Sequence, residues 1–118
     1  MYILKFTKGG LADVKSLPKH VKNSLKAELL GKLAVDPLSC STPLTSALEG
    51  WRSFHWQDWR VVFKVYPDLN AIGIEAVGKH DSDASLDVYK KLEQVAWNGK
   101  IAERLLVAIR SFTLSDRK

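Results

Sequence analysis

The segment Trp59-Arg60-Val61-Val62-Phe63-Lys64-Val65-Tyr66 passes through Pro67-Asp68-Leu69-Asn70 into Ala71 to Gly78, and Lys79-His80 follows at once. β-Branched and aromatic residues bounded by turn formers read as a buried hairpin. Arg52 to Trp56, joined to it by the two-residue turn Gln57-Asp58, reads as a third antiparallel strand. Strand alternation puts Trp59, Val61, Phe63 and Val65 on a core face, and Arg60, Val62, Lys64 and Tyr66 on the other. With tight turns at both ends, Tyr66 opposes Ala71, Arg60 opposes Val77, Val62 opposes Glu75, and His55 faces Arg60. A bulge in either strand would flip that register. The hairpin thus holds one arginine partway along a strand and delivers a histidine at its exit.

The flanking segments are helical or loop-like. Tyr2 to Thr7 alternates as a short strand that Gly9-Gly10 ends. Leu11 to Leu17 reads as a short helix broken by Pro18. Over Lys19 to Val35, Val21, Leu25, Leu29 and Leu33 recur at i+4, with lysines mainly off that stripe, and Asp36-Pro37 closes the helix. Leu38 to Gly50, rich in Ser, Thr and Pro, reads as a loop. A helix beginning before Tyr89 has Asp83 or Ser85 as candidate cap, and Lys100 to Phe112 has the periodicity of another. One domain over 1–118 is expected, with its core at about 2–95 and an additional helix at about 100–113.

Charge separates the ends of the chain. The net charge of +5 comes entirely from residues 1–35, while 36–118 sum to zero. A basic patch of this kind attracts polyanions or acidic protein segments; a solvated helix face is the plainer reading. Cys40 stands alone, which excludes an internal disulfide and a multi-cysteine zinc site. The three histidines have no metal-ligand spacing, no glycine-rich phosphate loop precedes Lys79, and no nucleophile elbow supports a serine triad. No metal or cofactor is expected. The longest strongly apolar run, Leu105 to Ile109, is too short for a bilayer, and Lys5 and Lys8 interrupt any leader-like start. A soluble cytoplasmic protein is the expectation.

On the predicted register one face gathers His55, Arg60, Lys64 and Glu75, with His80 just past the strand end. A guanidinium stays ionised and forks onto two phosphate oxygens, and an imidazole carries protons near neutral pH, so the cluster suits phosphodiester cleavage. Each residue also has a structural reading. Arg60 has Glu75 as a possible ion-pair partner, His55 sits between Phe54 and Trp56, His80 adjoins Asp81, and Trp51, Trp56 and Trp59 suit a core as well as base stacking.

The order of these elements resembles the RelE/ParE toxins of type II toxin–antitoxin systems over roughly residues 2–95. The pieces are Lys5-Phe6-Thr7-Lys8, Leu17-Pro18-Lys19-His20-Val21, Asp36-Pro37, Pro43-Leu44, Leu48-Glu49-Gly50-Trp51-Arg52, Trp59-Arg60-Val61-Val62-Phe63, Val77-Gly78-Lys79-His80 and Val88-Tyr89. The resemblance implies an α+β fold, with two N-terminal helices packed on a small twisted, mostly antiparallel β-sheet and a C-terminal helix. It implies a toxin that cleaves mRNA on the ribosome by metal-independent attack of a ribose 2′-hydroxyl on the adjacent phosphate. Arg60 matches the strand arginine, His80 a position held by arginine or histidine, and Tyr89 the C-terminal tyrosine. His55 joins these as a catalytic candidate. Arg52, Lys19, Lys22, Lys26, Lys64 and Lys79 are the RNA-binding candidates, although alternation turns Arg52 away from Arg60. The implied partners are a cognate antitoxin and ribosome-bound mRNA. Two alternatives share the fold: a ParE-like inhibitor of DNA gyrase, and a non-catalytic interaction module.

Overall fold

The computed structural model describes residues 1–80, 87–97 and 110–111. Among the described residues six strands form one mixed sheet in the order β2-β3-β4-β5-β1-β6, and three α-helices pack on it. The strands are β1 (Ile3–Phe6), β2 (Ser41–Pro43), β3 (Arg52–Trp56), β4 (Trp59–Tyr66), β5 (Ala71–Lys79) and the two-residue β6 (Arg110–Ser111). The helices are α1 (Lys8–Lys15), α2 (Lys19–Glu28) and α3 (Val88–Trp97). β1 runs parallel to β5 and every other pairing is antiparallel. This is the α+β architecture that the sequence implies.

The central meander forms where its turn residues require it. Trp56 opposes Trp59 across the turn, where Gln57 takes a φ of +54°, and Tyr66 opposes Ala71 across a turn closed by left-handed Asn70. One register differs from expectation. Val62 pairs with Ala76 and Phe63 with Ile74, so Glu75 is an extra residue in β5. The bulge moves the partner of Arg60 from Val77 to Gly78 and removes Glu75 from opposite Val62.

Both faces of the sheet are covered. Leu4, Phe6, Phe54, Val61, Phe63, Ile72, Ile74 and Val77 meet Val14, Leu17, Leu25, Leu29 and Leu33 from the N-terminal helices. Beneath α3 a smaller core joins Leu48, Trp51, Val62, Ala76, Val88 and Leu92. Val62 thus points away from Val61 and Phe63, as alternation demands, yet all three are fully buried.

Local chemistry shifts several boundaries. α1 begins three residues ahead of Leu11 because Thr7 caps it, its hydroxyl accepting the Gly10 N–H at 3.1 Å. Gly9 and Gly10 therefore open a helix. A Cβ at Gly10 would overlap the Ile74 carbonyl oxygen, so glycine is what lets α1 lie against β5. Asp13 then reaches over and its carboxylate accepts the Val77 N–H at 2.9 Å, beyond the end of β1. The long second helix closes with a π turn over Leu29–Leu33, which lets both Leu33 and Ala34 reach the core. The 38–50 segment, expected as a loop, contains β2 and a 3-10 turn at Ser46–Leu48. Pro43 fits there because β2 is an edge strand. The helix expected at about 100–113 falls outside the described residues except for Arg110–Ser111, which lie in β6. The candidate caps Asp83 and Ser85 also lie outside them.

Gly10→Ala should lower stability by about 3 kcal/mol, because a backbone oxygen cannot yield to the added methyl. Gly31→Ala, where nothing lies within 4 Å, should be neutral or stabilising. Urea denaturation of both variants checks the contrast.

Candidate functional site

The face of the sheet beneath α3 gathers the four catalytic candidates. Arg60 lies half-buried near the start of β4, with His55 directly opposite on β3 and Gly78 directly opposite on β5. Its Nη1 donates to the carbonyls of Gln57 and Trp59, each at 2.9 Å, so the hairpin's own turn fixes the guanidinium. Arg60 is therefore tied to this turn, and Glu75, its suggested ion-pair partner, is the bulged residue.

Gly78 admits the rest of the site. A Cβ there would stand 3.0 Å from the Val88 Cβ, closer than side chains normally approach, so the first turn of α3 rests on the bare backbone opposite Arg60. That placement brings Asp87 and Tyr89 to His80, two residues beyond Gly78. The Asp87 carboxylate, 2% exposed, has two tasks. Its Oδ2 accepts the Lys90 N–H at 3.0 Å, which caps α3, and its Oδ1 lies 2.6 Å from His80 Nδ1. An acceptor at Nδ1 fixes the neutral imidazole as the Nδ1–H tautomer and leaves Nε2 as the proton-exchanging nitrogen. The Tyr89 ring meets His80 edge-on at 5.3 Å between centroids, and its hydroxyl lies 2.6 Å from Ser53 Oγ on β3. Four elements thus converge on one imidazole and one guanidinium.

Electrostatics act on His55. Partial burial pushes His55 below its ordinary 6.5, and the positive charges of Arg60 and His80 push it the same way. The neutral form of His55, the one that accepts a proton, is thereby favoured.

Not every candidate residue joins this cluster. Arg52 lies on the opposite face, paired with Phe63, and is bound to the 38–41 segment. Its Nε donates to Ser41 Oγ at 2.7 Å, and its Nη2 to the carbonyls of Ser41 and Leu38. Lys79 also lies on that other face, its ammonium 5.0 Å from the Trp59 ring centroid. Lys64 shares the Arg60 face but stands over Trp51 and Tyr66, at 5.8 and 6.0 Å. Lys19 is exposed and Lys22 and Lys26 are half-buried on α2, on the far side of the sheet from α3. Trp51 belongs to the smaller core, and Trp56 and Trp59 pack against the larger one. Sequence reasoning missed Asp87 and Ser53. The signal for Asp87 was present: an aspartate immediately before Val88-Tyr89-Lys90 is a helix cap. Among the described residues no group of three or more His, Cys, Asp or Glu could hold a metal ion.

The sequence profile described as "ParE toxin of type II toxin-antitoxin system, parDE" matches residues 4–84. No functionally curated protein matches. The fold is similar to that of the toxin–antitoxin complex RelBE2 from Mycobacterium tuberculosis, with a TM-score of 0.63 and 23% identity over 66% of this chain and 90% of that one. It is similar to the isolated E. coli RelE toxin, with a TM-score of 0.59 and 17% identity over 80% and 99% of the two chains. It is also similar to YafQ from E. coli, with a TM-score of 0.51 and 25% identity over 73% and 98%.

His55 should titrate below 6.5 in an NMR pH series, and Arg60→Ala should move its midpoint part of the way back, since burial remains. A folded-state value below the unfolded one means that the unfolded chain binds more protons in that window. The His55 contribution to stability is thus present above about pH 6.5 and lost as pH falls through the lowered value. Asp87→Asn should leave stability nearly unchanged, because asparagine caps equally well, whereas Asp87→Ala should cost about 1 kcal/mol; thermal melts distinguish the two.

Proposed function

From the premise that this chain belongs to the ParE toxin family, within the RelE/ParE superfamily of type II toxin–antitoxin toxins, we propose that it is an endoribonuclease that cuts mRNA on the ribosome. The observation that carries this reading is the convergence of Arg60, His55 and an Asp87-oriented His80 on one accessible face of the sheet.

In the proposed reaction neutral His55 takes the proton of a ribose 2′-hydroxyl, whose oxygen attacks the adjacent phosphorus. The bond from phosphorus to the 5′-oxygen breaks, and that oxygen receives the Nε2 proton of His80 in its imidazolium form, which leaves the neutral Nδ1–H ring held in place by Asp87 and Tyr89. The products are a 2′,3′-cyclic phosphate and a 5′-hydroxyl. Arg60, ordered before substrate arrives, opposes the charge that builds on the phosphorane. No covalent enzyme intermediate is formed. The basic α2 face, with Lys19, Lys22 and Lys26, supplies long-range attraction for RNA.

The protein works in the cytoplasm on this reading, and its cognate partner is an antitoxin that neutralises it. The structural neighbours described as toxin–antitoxin complexes support such a partner. The profile match described as a ParE toxin favours a second reading, inhibition of DNA gyrase, which needs no proton carriers.

Ribosome-bound mRNA incubated with the purified protein should be cleaved. Arg60→Ala should slow cleavage by about 100-fold or more, and His80→Gln by about 100- to 10,000-fold, without unfolding the chain. Intact mRNA together with blocked gyrase supercoiling would replace this reading with the second one.

A further inference from the structure

A recess adjoins the proposed site and shares residues with it. At the β2 edge of the sheet a hollow of about 290 Å³ is lined by Ser39, Cys40, Ser41, Thr42, Ser53 and His55. Two of these residues belong to the site already: His55 faces Arg60, and Ser53 Oγ lies 2.6 Å from the Tyr89 hydroxyl. Thr42 pairs with Ser53 across the ladder. The hollow therefore begins one strand beyond His55, a step of about 4.8 Å.

Its lining defines what it can hold. Four hydroxyls and a thiol surround it, and no lysine, arginine, aspartate or glutamate is among the lining residues. A phosphate would call for cations there, and an apolar ligand for aromatic walls. Hydroxyls donate and accept with equal ease, which suits an uncharged ring edge bearing both kinds of group. The volume lies just below the range of about 300–1,000 Å³ typical of drug-sized ligands, so one flat heterocycle is the natural occupant. Some of the walls are rigid. Ser41 Oγ donates to the Pro37 carbonyl at 2.5 Å and accepts from Arg52 Nε, which anchors the floor of the hollow to β3.

We propose that this hollow receives the nucleobase next to the scissile phosphate and that the exposed Thr42 reads its edge, making it the base-specificity pocket of the toxin. The inference rests on the nuclease reading and deepens it. It also gives Arg52 a defined place as a positioning residue for the Ser41 wall.

Two measurements test it. The four ribonucleoside 3′-monophosphates are titrated into the full chain and followed by amide NMR. Saturable shifts should appear at residues 39–42 and 53–55 and differ among the bases. Thr42→Val, which keeps shape and removes one hydroxyl, should compress the spread of affinities by about fivefold, and Thr42→Trp should abolish these shifts by filling the space. Shifts confined to Arg60 and the lysines, equal for all bases, would overturn the pocket. In parallel, ribosome-bound transcripts differing only in the base beside the cut are compared. Thr42→Val should change their ranking; equal slowing on every base would overturn the pocket and leave the nuclease standing. Base-selective binding without cleavage of any transcript would sink the nuclease reading and keep the hollow as a nucleotide site.

Discussion

The bulge at Glu75 decides what the Arg60 face can be. In a regular hairpin counted back from Tyr66 and Ala71, Arg60 stands opposite Val77, and a residue three places further on points to the other side of the sheet. The extra residue moves the partner to Gly78, so that His80 is two places on and returns to the side of Arg60. One inserted residue therefore places an imidazole and a guanidinium on one surface. The same shift sends Val77 into the larger core, and its N–H goes to Asp13, which ties α1 to the strand beyond the bulge.

Once the parity is set, the remaining geometry follows from what the strand omits. Gly78 has no side chain to hold α3 away, so the helix starts low enough for Asp87 and Tyr89 to reach His80 and Ser53. Arg60 is fixed by carbonyls of its own turn. Groups ordered in this way lose little freedom when a ligand arrives, and their charges need not reorganise when it reacts.

Much of this was legible in the sequence, and the failures have separate causes. The β3–β4 hairpin could be read because turn residues mark both ends and the pairing of His55 with Arg60 follows by counting. The αα-hairpin could be read because leucines recur at i+4 and Pro18 and Pro37 bound the second helix. The bulge could not, because every residue from Ala71 to Val77 is compatible with a regular strand and the choice is made by tertiary packing of α1 and α3. β2 was hidden because three edge residues including a proline carry no strand pattern of their own. Asp87 was within reach: its cap signal was passed over in favour of Asp83 and Ser85 a few residues upstream. Ser53 offered no local signal, since its partner Tyr89 lies 36 residues away.

The double duty of Asp87 narrows what evolution can place at that position. Asparagine would start the helix but bring no anion to the ring; glutamate would bring the anion on an arm too long to start the helix well; serine would do the first task alone. On the nuclease reading two requirements, starting the helix and orienting the His80 ring, thus meet in a single side chain. If the proposed chemistry holds, drift there would uncouple shape from activity, yielding a chain that still folds but has lost its bite.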